Sequence, residues 1–152
     1  MHLIDHLDRG CVAVGLKAKD KTEALELLVD LAVRREIVRD PARLLAALQH
    51  REDVVSTGIG NGVAIPHADL PEIELPRLAL GIFPDGVDFQ ALDEETVTVI
   101  FLLLGTPRTP GLHMKILARI ARLSKDPEFA HLRRAERTED ALAILERIEA
   151  RR

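Results

Sequence analysis

The feature that most constrains the fold of this chain is an apolar run at residues 97–104, in which Thr98 is the only polar residue. Its β-branched and aliphatic side chains favour an extended strand buried in the middle of a sheet. The run is far shorter than the ~20 residues that a membrane-spanning helix requires. A strand of this kind has to be covered by other layers, so we expect an α/β domain.

Helical patterns lie on both sides of this strand along the sequence. Apolar spacing and capping residues predict two helices before it and three after it. The first helix is expected to end near Arg35 and the second near Arg51 or Glu52. The residues at which the five helices are predicted to start are Asp20, Asp40, Leu112, Asp126 and Thr138.

Three further strands are predicted. Residues 11–16 form the first, residues 63–65 a short buried one that ends at Pro66, and residues 78–83 a third that is followed by a turn at residues 84–86. The helices and strands together predict a single α/β domain over residues 1–152, with a mixed β-sheet flanked by helices on both faces.

The bulk composition limits the classes of function. The net charge of −4 argues against a nucleic-acid binder, which normally has a basic face. The single cysteine, Cys11, excludes an intramolecular disulfide, and the first residues lack the pattern of a signal peptide. None of the six histidines has a zinc-binding spacing, so no metal is expected. We therefore expect a cytoplasmic protein that is not inserted in a membrane.

A glycine-rich segment, residues 56–62, precedes the most informative histidine. It is not a dinucleotide or P-loop motif, because a helix comes before it, a strand follows it, and Gly-Lys-Ser/Thr is missing. It is either a tight connection that needs positive φ or a wall that lets the backbone approach a ligand. No nucleotide cofactor is expected.

His67 follows Pro66 at the predicted end of a strand. Proline restricts its own φ and the residue before it, which fixes the direction of the imidazole. A nucleophilic imidazole needs such an orientation, since phosphoryl transfer depends on in-line positioning and charge stabilisation. The alternative is a histidine that only hydrogen-bonds a carbonyl.

Two other residues have a structural and a functional interpretation. His113, at the start of a predicted helix, is either a surface residue or a second imidazole beside His67, where the helix N-terminus favours an anion. Arg51, at the end of the second helix, either complements the helix dipole or reaches a phosphoryl oxygen.

These residues belong to a longer pattern. The segment Arg51-Glu52-Asp53, together with residues 56–68, closely resembles the signature of the fructose/mannitol-type enzyme IIA domain of the bacterial phosphotransferase system, which its nitrogen-regulatory branch shares. The similarity covers nearly the whole chain and continues through residues 86–89, 91–93, 101–104 and 112–117.

The resemblance implies that His67 is the phosphorylated histidine, His113 the second active-site histidine and Arg51 the arginine that closes the preceding helix. It implies a phosphotransferase component that receives a phosphoryl group from the histidine-containing phosphocarrier protein. The group originates from phosphoenolpyruvate through enzyme I and passes to an enzyme IIB on a separate chain. The alternative is a regulatory protein whose choice of partner changes on phosphorylation.

One position departs from the family pattern. Many relatives have glycine and then a neutral or basic residue after the histidine, whereas this chain has Ala68 and Asp69. A carboxylate two residues from a phosphohistidine either repels the phosphoryl group or points outward and orients a partner.

Overall fold

The computed structural model describes residues 1–54, 56–90 and 95–151. Two short 3-10 segments, Leu3–Asp5 and Pro127–Arg134, accompany the helices and strands. The four helices are α1 (Lys21–Arg34), α2 (Pro41–Val54), α3 (Pro110–Leu123) and α4 (Thr138–Ala150). The six strands are β1 (Leu7–Ala13), β2 (Gly58–Gly60), β3 (Val63–Ala64), β4 (His67–Asp69), β5 (Arg77–Val87) and β6 (Val97–Gly105).

The strands form one mixed sheet in the order β1-β5-β6-β3-β2, with β4 also paired to β6. The apolar run supplies β6, which pairs antiparallel with β5 on one side and parallel with β3 and β4 on the other. Every residue of β6 except Thr98 is buried. The prediction of a central strand in a mixed sheet is confirmed.

Helices cover both faces of this sheet, as predicted. Helices α1 and α2 pack against one face over a core that contains Leu28, Leu48 and Leu102. Helices α3 and α4 and the segment Pro127–Arg134 pack against the other face over a core that contains Leu103 and Ile120. The alternation of side chains along β6 explains the two cores, because neighbouring residues of a strand point to opposite faces.

Strands β3 and β4 continue one another beside β6. The pairs Val63–Val99 and Asp69–Gly105 keep the same register, with Pro66 in the gap between the two strands. Pro66 has no N–H to donate, but its carbonyl still accepts from Leu103 N at 2.9 Å. His67 is therefore the first residue of a second strand, whereas the sequence predicted that it follows a strand and the proline that stops it.

Most of the glycine-rich segment belongs to a β-hairpin, of which it forms the first strand and the turn. Strand β2 pairs antiparallel with β3, and the turn between them is Asn61-Gly62, with φ of 56° and 73°. Positive φ at both turn residues matches the twist of a tight hairpin. The interpretation as a tight connection that needs positive φ is confirmed.

Two strand predictions were wrong in their limits. Strand β1 begins at Leu7 and ends at Ala13. The sequence did not predict these limits, because the strand contains polar residues and is fixed by its parallel pairing with β5. Strand β5 runs through the predicted turn at 84–86, with an irregular register between Ile82 and Val87 and a φ of 81° at Gly86. Strand β1 no longer pairs with β5 at Pro84, so this proline lies at an edge of the sheet, where proline is tolerated.

Three helix limits also differ from prediction. Helix α3 begins at Pro110, before the predicted start at Leu112, because proline is accepted at the first position of a helix. Helix α2 continues to Val54, since no glycine or proline stops it earlier, so Arg51 lies within its last turn. Arg137 is the cap residue of α4, and Thr138 is its first helical residue. The Thr138 hydroxyl donates to Val12 O at 3.2 Å, so it is not the N-cap. Residues 91–93 of the family pattern lie outside the described residues.

Candidate functional site

His67 and His113 lie side by side at the end of the sheet. Strand β4 holds His67 against the end of β6, and His113 lies in the first turn of α3. Their ring centroids are 5.2 Å apart and their planes meet at 73°. The structure thus brings together two histidines that are separated by more than forty positions in the sequence.

A backbone hydrogen bond fixes the His67 ring. Its Nδ1 lies 2.8 Å from the carbonyl oxygen of Ile65. A carbonyl only accepts hydrogen bonds, so Nδ1 carries the hydrogen and the neutral ring has its lone pair on Nε2. Pro66 lies between the two residues and limits the local backbone. The alternative reading, a histidine that bonds a carbonyl, is correct for Nδ1 and leaves Nε2 available.

The surroundings of His67 favour its neutral form. Burial lowers the pKa of His67 below its ordinary 6.5, and the positive charge on Arg51 and that on a protonated His113 lower this pKa further. The Ile65 carbonyl and the Glu52 carboxylate act in the opposite direction, without reversing the shift. A lowered pKa keeps the ring unprotonated at neutral pH, as a nucleophile requires.

Arg51 lies near this pair of rings without contacting another charge. Its side chain is exposed in the last turn of α2, and its guanidinium is close enough to influence the pKa of His67. It forms no ion pair with any residue in the ranges 1–54, 56–90 and 95–151. A guanidinium within electrostatic range of His67 is suited to binding an oxyanion there.

Asp69 points toward His113. Its Oδ1 lies 3.9 Å from His113 Nδ1, with 49% of the Asp69 side chain and 16% of the His113 side chain exposed. The two side chains meet above Gly105, where a Cβ would lie 2.8 Å from both of these atoms. The Asp69 carboxylate is half exposed and lies against His113, so it is not a free outward group, and its repulsion of a phosphoryl group stays a prediction.

Sequence reasoning missed Gly105 and Glu52. Gly105 leaves space for Asp69 and His113, and Glu52 is a buried carboxylate next to Arg51. The role of Gly105 is visible only from the register of β4 against β6, which no local sequence pattern encodes. Glu52 could have been found from the sequence, because it belongs to the family-like segment and follows Arg51 directly.

The described residues give no support for a metal or a membrane span. No three or more histidine, cysteine, aspartate or glutamate side chains in this part of the chain are grouped to hold a metal ion. None of the helices over the described residues is long and apolar enough to cross a bilayer.

Curated relatives of the chain fall into two groups. The chain is 35% identical over 144 residues to the nitrogen regulatory protein of Bradyrhizobium diazoefficiens, which covers 95% of the chain and 92% of the relative. It is 28% identical over 142 residues to the fructose-specific EIIABC component of Bacillus subtilis. That match covers 93% of the chain but spans only 22% of the relative's length.

Solved structures share the same fold. The nitrogen regulatory protein IIA-Ntr of Neisseria meningitidis superposes with a TM-score of 0.84 at 28% identity, over 93% of this chain and 97% of that one. IIA mannitol of Escherichia coli, solved in complex with phosphorylated IIB, superposes with a TM-score of 0.77 at 18% identity, over 90% and 94% of the two chains. The second likeness supports the fold alone.

A family model covers nearly all of the chain. The model for the phosphoenolpyruvate-dependent sugar phosphotransferase system, EIIA 2, matches residues 5–148, which include every element from β1 to the end of α4 except its last two residues. The match agrees with the mixed sheet, with the helices on both faces and with the resemblance seen in the sequence. The chain belongs to the EIIA 2 family, the phosphoryl-carrier domains of the fructose/mannitol type of this phosphotransferase system.

Proposed function

We propose that His67 accepts a phosphoryl group on Nε2 from the histidine-containing phosphocarrier protein and passes it to an enzyme IIB on a separate chain. The single observation that carries this proposal is the hydrogen bond of His67 Nδ1 to the Ile65 carbonyl. Because Nδ1 carries the hydrogen, the lone pair of the neutral ring is on Nε2, the nitrogen that faces away from this carbonyl.

The proposed transfer is a single displacement at phosphorus. The Nε2 lone pair forms the new nitrogen–phosphorus bond while the bond from phosphorus to the donor nitrogen breaks, and the donor imidazole leaves with that electron pair. The His67 ring gains positive charge, which is shared with its Nδ1–H. The Ile65 carbonyl accepts that hydrogen and stabilises the charged ring.

Arg51 and His113 are proposed to stabilise the phosphoryl oxygens without becoming phosphorylated. The guanidinium offers several donors in a fixed plane, and His113 lies beside His67 near the start of α3. The Arg51 charge, and that of His113 when it is protonated, also lower the pKa of His67, which keeps the acceptor neutral. The same groups therefore prepare the nucleophile and receive the negative charge that arrives with the phosphorus.

The partner of the second transfer follows from the family. The Escherichia coli IIA mannitol structure was solved with phosphorylated IIB, and the present chain shares its fold. In the proposed cycle a IIB domain docks on the open side of His67, which is only partly buried. The cytoplasmic location stays a prediction from the sequence.

A regulatory role is the second candidate. It is favoured by the 35% identity with the nitrogen regulatory protein of Bradyrhizobium diazoefficiens over 92% of that protein. In this case, phosphorylation of His67 adds about −1.5 to −2 charges, by analogy with other phosphorylated side chains, and changes the affinity for a target. We place the carrier role first because the family model that matches residues 5–148 is that of a sugar phosphotransferase system.

The first experiment follows phosphoryl flow. Wild-type protein is incubated with phosphoenolpyruvate, enzyme I and the phosphocarrier, then mixed with candidate IIB domains of the fructose and mannitol type. We expect label to reach wild type and then a IIB, and we expect none to reach His67→Ala. Transfer from the isolated phosphorylated carrier should persist in excess chelator, since the proposed step uses no metal.

The second experiment separates carrier from regulator. Wild type, His67→Ala and His67→Asp are used to capture proteins from a cell extract. If one form retains a non-transport protein that the others release, and no IIB accepts label, the carrier role is contradicted and the regulatory role is supported.

The roles of Arg51 and His113 are tested by single-turnover rates. Removal of a donor that stabilises developing charge typically costs about 10²–10³ in rate. We expect His113→Ala and Arg51→Ala to slow acceptance while His67 still becomes fully phosphorylated at long times. Wild-type rates in both variants would show that these residues have structural roles alone.

A further inference from the structure

A buried cluster of charged and polar groups joins the end of α2 to the glycine-rich hairpin. Glu52 is only 7% exposed, and its Oε1 lies 3.2 Å from Lys21 Nζ. The same ammonium group lies 4.9 Å from the centroid of the Phe89 ring, which attracts a cation. Oε1 also accepts a hydrogen bond from Thr57 N at 3.1 Å. We call Lys21, Glu52, Thr57 and Phe89 the Glu52 cluster.

This cluster connects to His67 through consecutive hydrogen bonds. The carbonyl of Thr57, whose N–H bonds Glu52, accepts from Ile65 N at 3.0 Å. The carbonyl of Ile65 in turn accepts from His67 Nδ1 at 2.8 Å. The Glu52 carboxylate is thus linked, through the backbone of Thr57 and Ile65, to the His67 ring.

Stability alone is a poor reason for the Glu52 cluster. Burial of an ion pair costs desolvation energy, and apolar residues of similar volume often replace such a pair without loss. Glu52 Oε2 and Thr57 Oγ1 are buried and have no hydrogen-bond partner among the described residues, which adds to the cost. The hydrogen bond that Glu52 accepts from the Thr57 amide gives a better reason for a buried carboxylate at this position.

We propose that Glu52 is a positioning residue for phosphoryl transfer, which fixes the Thr57 amide and so the placement of the His67 ring relative to Arg51. Lys21 neutralises the buried carboxylate. The effect on rate rests on the proposed function of His67. The effect on the ring itself does not, because it is present in the unphosphorylated protein.

Two double variants separate the hydrogen bond from the charge. Lys21→Met with Glu52→Gln removes both charges and keeps a side-chain oxygen that can accept from Thr57 N. Lys21→Met with Glu52→Met removes both charges and this acceptor. Neither variant leaves an unpaired buried charge, so both are expected to fold. Their thermal unfolding is measured to establish that they do.

Two readouts are compared in these variants and in the wild type. The first is the single-turnover rate of acceptance from the phosphorylated carrier. The second is the ¹⁵N NMR shift pair of His67 in unphosphorylated protein, which shows which ring nitrogen holds the hydrogen. We expect the glutamine variant to match wild type in both. We expect the methionine variant to be at least ~10-fold slower and to lose the pure Nδ1–H form of His67.

Equal rates and equal His67 shifts in the two folded variants would overturn the proposal, whether both resemble the wild type or both are impaired. If the wild type itself accepts no phosphoryl group, the proposed function fails. The NMR comparison then still decides whether Glu52 positions the His67 ring.

Discussion

Phosphoryl acceptance requires a neutral imidazole, so the pKa of His67 is the first property to test at the level of single residues. Burial lowers this pKa below 6.5, and Arg51 and His113 lower it further. We expect a histidine NMR titration to give His67 a midpoint below 6.5. The midpoint should rise in Arg51→Ala, which removes a positive charge, and in His113→Ala, which removes the charge that His113 carries when protonated.

The same shift has a consequence for stability. As the pH falls below 6.5, the unfolded chain protonates His67 before the native protein does, so the unfolded state binds more protons. The stabilising contribution is therefore present above pH 6.5 and is lost as the pH falls through the folded pKa. His67→Gln should remove this part of the pH dependence of unfolding, and an unchanged pH profile would argue against the lowered pKa.

Gly105 offers a second test at this level. A Cβ at this position would lie 2.8 Å from Asp69 Oδ1 and from His113 Nδ1, so these side-chain ends must move apart. We expect Gly105→Ala to fold and to accept the phosphoryl group more slowly than wild type, by roughly 10-fold, because His113 is displaced from His67.

Gly111→Ala is the matched control, since a Cβ at Gly111 meets nothing within 4 Å among the described residues. It should retain the wild-type rate. Equal rates in both alanine variants would show that the placement of His113 against Asp69 has no part in transfer.

Among the secondary-structure elements, α4 is fixed by a second buried carboxylate on the opposite face of the sheet from the Glu52 cluster. Glu149 accepts from Leu3 N at 2.9 Å, from Ile4 N at 3.2 Å and from Arg119 Nε at 2.7 Å. Glu149→Ala leaves the Arg119 charge largely buried and unpaired, which typically costs about 3–5 kcal/mol. We expect chemical denaturation to show this loss.

The exposed pair Asp30–Arg34 on α1 provides the comparison. Asp30→Ala should change the free energy of unfolding by less than about 1 kcal/mol. The folded fraction of Glu149→Ala should transfer phosphoryl groups at the wild-type rate, since Glu149 does not contact His67 or His113. A slow but stable Glu149→Ala protein would contradict this division between stability and function.

Elements with strong local signals were predictable, and those fixed by distant pairing were not. Strand β6 is apolar at nearly every position, and α1 begins where Asp20 accepts from Glu23 N at 2.9 Å, as the capping pattern indicated. Strand β1 has Asp8 and Arg9 near its start, so only its pairing with β5 identifies it there. The extension of β5 past Pro84 likewise depends on its neighbour β6.

For the whole molecule, the fold class and the three proposed site residues came from the sequence pattern, whereas the contacts between them required the fold. The meeting of His67 and His113 depends on how β4 and α3 start beside the end of β6. The position of Asp69 above Gly105 depends on the register of β4 against β6. Residues that act through a shared register leave no spacing pattern in one sequence.

The decisive measurement is the position of the phosphoryl group on the whole protein. Protein labelled with ¹⁵N-histidine is phosphorylated through enzyme I and the phosphocarrier and kept alkaline, and nitrogen–phosphorus coupling is recorded by NMR. We expect coupling at Nε2 of His67 alone. Coupling at His113, or at Nδ1 of His67, would contradict the proposed role of this site.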